Sequence, residues 1–282
     1  MDPHLLDIRN QQKESWNTFS PGWKKWDGWM MQFLQPMGEE IIRLLDVKET
    51  DHVLDVATGT GEPGLTIAQM ARKGKVTGID ISDGMLMVAD ENAAKRGIRN
   101  YETLVGDVCE LPFADNTFDK ISCRMGFMFF PDMKLAAKEL YRVLKPGGKF
   151  ATSVWGKPEK NFWVTAIMGP VKKHMQLEDM PPDAPGMFRC SDDGKMSAIL
   201  QEAGFKNVTE KEAINHEEAE SVDFLWDQMN DVAAPMVAAM KNASDAQRIA
   251  IKEDVYSNLA SRYGAQGPLR MENCSIILYG EK

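Results

Sequence analysis

The sequence predicts an α/β protein: a doubly wound, mostly parallel sheet with a helical cap. Three observations carry that prediction. Short β-rich runs recur along the first half of the chain, helix-like segments lie between most of them, and the first run breaks into glycines before a helix, in HVLDVATGTGEPGLTIAQMARKG at 52–74. Strands alternating with helices imply parallel pairing through right-handed crossovers, so the sheet is covered by helices on both faces.

The elements follow in order. Met37, Ile41, Ile42, Leu44 and Leu45 have helical spacing and lead through a polar stretch into the strand HVLDVA. Further strands are expected at KVTGID (75–80), YETLVGD (101–107), FDKISCR (118–124) and KFATSVW (149–155). Between them, Leu65, Ala68 and Ala71 mark one helix, and Met85, Leu86 and Ala89 mark another with Ser82 as its N-cap. Leu135, Leu140 and Leu144 mark a third, which the KPGG turn at 145–148 breaks before the fifth strand. Beyond residue 156, SDDGKMSAILQEAGF reads as a capped helix ended by Gly204, KNVTEKEAI as a strand, and NCSIILYG as a closing edge strand. These readings divide the chain into an aromatic-rich N-terminal lid (1–36), an α/β core (37–156) and a C-terminal half (157–282) with a helical insertion at about 220–263.

Composition bounds the function. A chain of 282 residues with 43% hydrophobic and 27% charged content is globular and large enough to bury a core without metal or disulfides. A net charge of -9 with no Lys/Arg-rich tract argues against nucleic acid and anionic lipid as partners. Cys109, Cys123, Cys190 and Cys274 form no CxxC pair, which suggests neither zinc nor a disulfide framework and fits a reducing cytoplasm. No signal peptide and no apolar run of membrane-spanning length is visible.

Ligands of doubly wound sheets sit beyond the carboxyl ends of the strands. At the first such end, Gly59 and Gly61 let the backbone approach a ligand, and the following helix offers free N–H groups and its positive dipole end. Pro63 suits the first helical turn. Asp55, just before the glycines, suits a ligand carrying an ammonium group and repels a pyrophosphate. Asp80 ends the second strand 19 residues after Gly61, where a carboxylate can accept both hydroxyls of a ribose. Asp107 ends the third strand, where it could take an exocyclic amine while the next backbone N–H meets a ring nitrogen.

These residues and the phrases around them, VLDVATGTGEPG, VTGIDIS, GDVCELPFADNTFD and LYRVLKPGGKF, resemble the class I methyltransferases dependent on S-adenosylmethionine (SAM), over roughly residues 37–156. LPFADNTFD and YRVLKPGG are most similar to the ubiquinone and menaquinone C-methyltransferase group. The resemblance implies a Rossmann-like methyltransferase fold and SAM as cofactor, with S-adenosylhomocysteine as product. By position it implies that Asp55, Ala57, Gly59 and Gly61 line the methionine and ribose side, and that Asp80 holds the ribose with Ile81 and Met85 beside the adenine. Gly106, Asp107 and Val108 would meet the adenine edge. Ala57 stands where a glycine is common, and is expected to fit with φ negative. Arg124, in CRMGFMFFPDM, reads equally as a contact for the SAM carboxylate or as a sheet-edge arginine; this segment departs from the quinone group's own phrase.

The acceptor has to be argued from the covering parts. Trp16, Trp23, Trp26 and Trp29 are four of the chain's seven tryptophans, and read as a helix pair packing rings on the core, a lid, or both. With Phe162, Trp163, Trp226 and the Met-rich MGPVKKHMQLEDMPPDAPGMF they suggest a small, apolar or flat organic acceptor. Met125, Phe127, Met128, Phe129 and Phe130 read as packing residues, some of which could wall the transfer channel. His4, His52, His174 and His216 are the candidate bases, and none is assigned. Two other functions could use such a sheet: a nicotinamide dehydrogenase, which has no need for the Asp107 phrase, and a noncatalytic SAM-binding module.

Overall fold

The computed structural model describes residues 2–178, 181, 183–264 and 267–282. Asp179, Met180 and Pro182 of the Met-rich stretch lie outside the described residues. The strands are β1 (His52–Val56), β2 (Lys75–Asp80), β3 (Tyr101–Val105), β4 (Phe118–Arg124), β5 (Leu144–Trp155), β6 (Lys206–Ala219) and β7 (Leu269–Glu281). They form one seven-stranded sheet in the order β3-β2-β1-β4-β5-β7-β6. Strands β1 to β5 pair parallel, while β7 runs antiparallel to both β5 and β6. The chain winds outward from β1 through β2 to β3, then returns to lay β4 on the other side of β1. The switch in direction therefore falls between β1 and β4, where their carboxyl ends open a crevice.

Helices α3 (Gly64–Met70), α4 (Asp83–Lys95) and α5 (Met133–Val143) supply the crossovers. Ser82 caps α4 by accepting from Met85 N at 3.1 Å. At the N-terminus, α1 (Pro3–Lys25) and α2 (Asp27–Leu45) form the expected helix pair. Buried Met30, Phe33, Leu34, Met37, Ile41 and Leu45 put one stripe of α2 against the sheet. Helix α2 runs unbroken through Pro36, so a division at 36/37 falls in mid-helix. The C-terminal half adds α6 (Phe162–Met175), α7 (Lys195–Ala203), α8 (Val222–Val232), α9 (Ala234–Asn242) and α10 (Asp245–Tyr263).

Three local expectations are corrected. The last strand is not at the edge: β7 lies between β5 and β6, and β6 is the edge. The reason is burial. Residues 273–278 of β7 are buried on both faces, as an inner strand requires, whereas β6 alternates between exposed and half-buried positions and carries the charges that protect an edge. Residues 145–148 lie inside β5 as an irregularity between the pairs Phe118↔Leu144 and Lys120↔Lys149, rather than before the strand. Finally, α7 has no side-chain cap of its own: Glu210 of β6 accepts from Gly194 N at 2.9 Å and from Ser197 Oγ at 2.5 Å, so the cap comes from the neighbouring strand.

Candidate active site at the β1–β4 crevice

The loops after β1 to β4 and the inner faces of α1 and α2 enclose one cavity. Ala57, Gly59, Asp80, Ile81 and Met85 line it, as do Gly106, Asp107, Val108 and Arg124. Asp55 and Gly61, read from the sequence as lining residues, stand behind the wall instead.

Asp55 is wholly buried, and its carboxylate accepts from Ser122 Oγ at 2.6 Å, Thr58 Oγ1 at 2.5 Å and Gly64 N at 3.1 Å. Thr58 Oγ1 in turn meets the Tyr101 hydroxyl at 2.8 Å. Burial pushes the Asp55 carboxyl up to about 6, against the opposing pull of these hydrogen bonds and the Arg124 charge. The group thus ties β1, β4, the glycine loop and the start of α3 together from below. A Cβ on Gly64 would stand 2.7 Å from Asp55 Oδ2, so a glycine is needed for that approach.

The loop itself is built on positive φ. Gly59 at +56° faces open space, while at Gly61, φ +114°, a Cβ would strike Leu65 Cδ1 at 2.6 Å. Gly61 therefore serves the packing of α3. Ala57 also has positive φ, +52°, contrary to the expectation from the sequence. Met125, in the loop after β4, has φ +58°, and a Cβ on the next residue, Gly126, would lie 2.8 Å from the Ala57 methyl. The two loops abut, and the packing holds both residues in the left-handed region, where each costs about 1–2 kcal/mol.

At the tip of β2, Asp80 Oδ2 accepts from Gly59 N and Oδ1 from Ser82 N, both at 2.9 Å. Each oxygen keeps lone-pair capacity toward the cavity, which suits a vicinal diol. Burial raises its pKa, opposed by those backbone donors. Just beyond β3, Asp107 Oδ1 accepts from Cys109 N at 2.9 Å, while buried Oδ2 has no hydrogen-bond partner among the described residues. Its nearest cation is Arg9 of α1 at 3.9 Å, beyond hydrogen-bond reach.

Arg124, at the tip of β4, reaches Leu34 O at 3.4 Å and Met31 Sδ at 3.2 Å. Burial lowers its pKa, with Glu62, Asp55 and Asp27 opposing from a distance, and among the described residues no carboxylate pairs with it. Glu62 is instead engaged by Arg96 and Thr66. A half-buried cation on the cavity wall can receive an anionic group.

Gln12, Met31 and Leu34 of α1 and α2, which sequence reasoning did not single out, complete the wall beside Trp16 and Trp23. Of the N-terminal tryptophans, Trp16 and Trp23 face the cavity, whereas Trp26 bonds Asp231 and Trp29 stacks on Phe33. Asn17 docks α1 by accepting from Ser82 Oγ at 2.6 Å and Gly84 N at 3.0 Å. The MGFMFFP segment divides: Phe127 and Met128 are core, while Met125, Phe129 and Phe130 line the cavity. None of the four histidines lines it. His52 begins β1 at the opposite end of the sheet, and His174 pairs with Asp254 at 2.8 Å between α6 and α10.

Comparison with known proteins accords with this geometry. A methyltransferase-domain family model matches residues 53–148, the span from β1 to the start of β5. The chain is 32% identical over 186 residues to the demethylmenaquinone methyltransferase of Listeria monocytogenes, covering 60% of this chain and 76% of that protein. Against the same enzyme of Bacillus subtilis it is 31% identical over 186 residues, with coverage of 60% and 77%. The solved structure of the YcgJ protein of Bacillus subtilis superposes with a TM-score of 0.58 at 19% identity, covering 88% of this chain and 98% of that one, which shows the shared fold. With the carboxylates at successive strand tips, the glycine loop and these relatives in agreement, the chain belongs to the class I SAM-dependent methyltransferases, close to the menaquinone group.

Proposed function

We propose that the crevice holds SAM with its adenine at Asp107 and Val108 beside Ile81 and Met85, its ribose on Asp80, and its methionine carboxylate toward Arg124. The methyl group then passes to a small apolar or aromatic organic acceptor. One observation carries this reading: the buried, unpartnered Oδ2 of Asp107 lies in the same cavity as the doubly anchored Asp80. An adenine amine would give Oδ2 the donor it lacks, and its burial without one costs about 1–3 kcal/mol. The residues present fit the group.

When bound, SAM supplies a methyl on a positive sulfur, open to in-line displacement. The protein's own part is to bind, align and keep dry. Asp55 holds the loop that positions Gly59; Asp80 and Arg124 hold opposite ends of the cofactor. Trp16, Trp23, Phe129 and Phe130 wall the remaining space with rings that exclude water, so alignment can supply much of the acceleration. Ionisable side chains on the wall are Glu62, Asp80, Asp107 and Arg124, all with binding or structural partners in this scheme, and no base is assigned. In the same reading α1 and the first turns of α2 act as the lid, α8 to α10 act as the cap, and the enzyme works in the cytoplasm.

The likeness to demethylmenaquinone methyltransferases favours a second, narrower reading, methylation of a ring carbon of a quinol. The cofactor reading is tested by titrating the protein with S-adenosylhomocysteine and with its inosine counterpart, in which a carbonyl oxygen replaces the exocyclic amine. Asp107 should repel that oxygen, and the inosine compound should bind at least tenfold more weakly. Equal affinities would remove Asp107 from the adenine site.

A further inference from the structure

The inner face of α1 brings a bare hydrogen-bond donor to the cavity wall. Gln12, Trp16 and Trp23, four and seven residues apart, lie on that face and line the cavity. Trp16 meets Phe129 edge-on at 5.2 Å and Trp23 meets Trp16 edge-on at 6.0 Å between ring centroids. The row of rings therefore runs from the loop after β4 toward the corner where α1 passes into α2. Trp23 Nε1 is buried and has no hydrogen-bond partner among the described residues. Among those residues, it and Asp107 Oδ2 are the two such atoms on the cavity wall. Asp107 Oδ2 lacks a donor, whereas Trp23 Nε1 is a donor that lacks an acceptor.

Two more donors on the same wall converge on one weak acceptor: Arg124 Nη2 stands 3.2 Å and Thr60 Oγ1 3.9 Å from the Met31 sulfur. A thioether accepts poorly, so the guanidinium and the hydroxyl both keep capacity for a better acceptor at that place. Asn92 ties this end of the cavity to the helix corner. Its amide donates to Thr60 O at 3.0 Å and to Asp27 Oδ2 at 3.1 Å, and Asp27 begins α2 four residues after Trp23. Glu62, the acid on this stretch of wall, is engaged by Arg96 and Thr66. Three donors with free capacity, one of them a guanidinium, suit an anion with several lone pairs.

We infer that Trp23 closes α1 on the carboxylate of the cofactor's methionine part, its Nε1–H donating to that group with Arg124 and Thr60 as companion donors. This rests on the cofactor reading above and adds that the lid recognises the amino-acid tail, so α1 is held shut by a ligand that carries the carboxylate and not by the nucleoside alone. The probes are S-adenosylhomocysteine and 5′-(3-aminopropylthio)-5′-deoxyadenosine, which keeps the nucleoside, the sulfur and the amine and lacks only the carboxylate. By calorimetry the wild type should bind S-adenosylhomocysteine at least tenfold more tightly than this analogue. Trp23→Phe keeps an aromatic ring and removes the N–H. It should weaken S-adenosylhomocysteine about tenfold, as loss of a charge-assisted hydrogen bond does, and leave the analogue within twofold. Hydrogen exchange supplies a second readout. With each ligand at saturation, wild-type amides of α1 before Pro21 should exchange at least fivefold more slowly with S-adenosylhomocysteine than with the analogue, and Trp23→Phe should abolish the difference. The wild-type comparison stands by itself if the variant does not fold. Equal protection by the two ligands, or a wild type that binds them alike, would overturn the inference. So would a Trp23→Phe variant that loses affinity for both ligands equally, which would make Trp23 a packing ring only, or one that loses affinity for neither. Failure of both ligands to bind the wild type would count against the cofactor reading alone.

Discussion

Two regions of the sheet are built on different principles. At the β1–β2 end the carboxylates are held by backbone and hydroxyl donors: Asp55 by Gly64 N and two hydroxyls, Asp80 by Gly59 N and Ser82 N. On the β5–β7 face under α2, which lines no part of the cavity, Ser153, Asn273 and Ser275 are buried and, among the described residues, their side-chain polar atoms have no hydrogen-bond partner. Groups fixed by backbone amides keep their direction whatever ligand arrives, which suits a cofactor that never changes. Bare groups in a closed core meet no ligand and cost about 1–3 kcal/mol each, so replacing them should change stability and not binding.

The comparison is broken most severely at Asp80. Asp80→Ala removes the acceptor for a ribose diol and also frees Gly59 N and Ser82 N, so affinity for S-adenosylhomocysteine should fall at least several hundred-fold by calorimetry. Asn273→Leu, in β7 away from the cavity, should leave it within twofold. If the two variants lose affinity alike, the division of labour between the two regions is wrong.

A smaller effect separates the anchored carboxylates from each other. The Asp55 carboxyl titrates at about 6 against a usual 3.8, so the folded state favours its protonated form. Its contribution is greatest below pH 4 and is lost as pH rises through 6, a swing of about 2–3 kcal/mol. Asp55→Asn cannot titrate. Thermal unfolding of the cofactor-free protein should therefore show wild type losing ground to Asp55→Asn between pH 4 and 7; parallel curves would mean that the carboxyl does not titrate there.

The same contrast explains what could be read from the chain. The placement of Asp80 at the end of β2 and of Asp107 just beyond β3 was legible because a β-rich run, a turn and a helix leave local marks. The inward aim of Asp55 was not, since it depends on Ser122, 67 residues away. The place of β7 was partly written in NCSIIL, an apolar run too continuous for an edge beside the charged KNVTEKEAINHEEA, but strand order is a tertiary fact. The unpaired patch could not be seen at all. Ser153, Trp163 and Asn273 come from β5, α6 and β7, and their burial follows only from the packing of those elements.

Ala57 gives the mildest test, because it sits at the seam between the loops after β1 and β4. Its φ of +52° is costly for alanine, and its methyl fills the space that Gly126 leaves. Glycine would relieve about 1 kcal/mol of backbone cost but add a similar loss of conformational entropy on folding, and it would empty a contact between the β1 and β4 loops. These terms nearly cancel, so Ala57→Gly should change stability by under about 1 kcal/mol and leave S-adenosylhomocysteine affinity within threefold. A tenfold loss of affinity with normal stability would show that the methyl contacts the cofactor directly, and would move Ala57 from the loop seam into the binding surface.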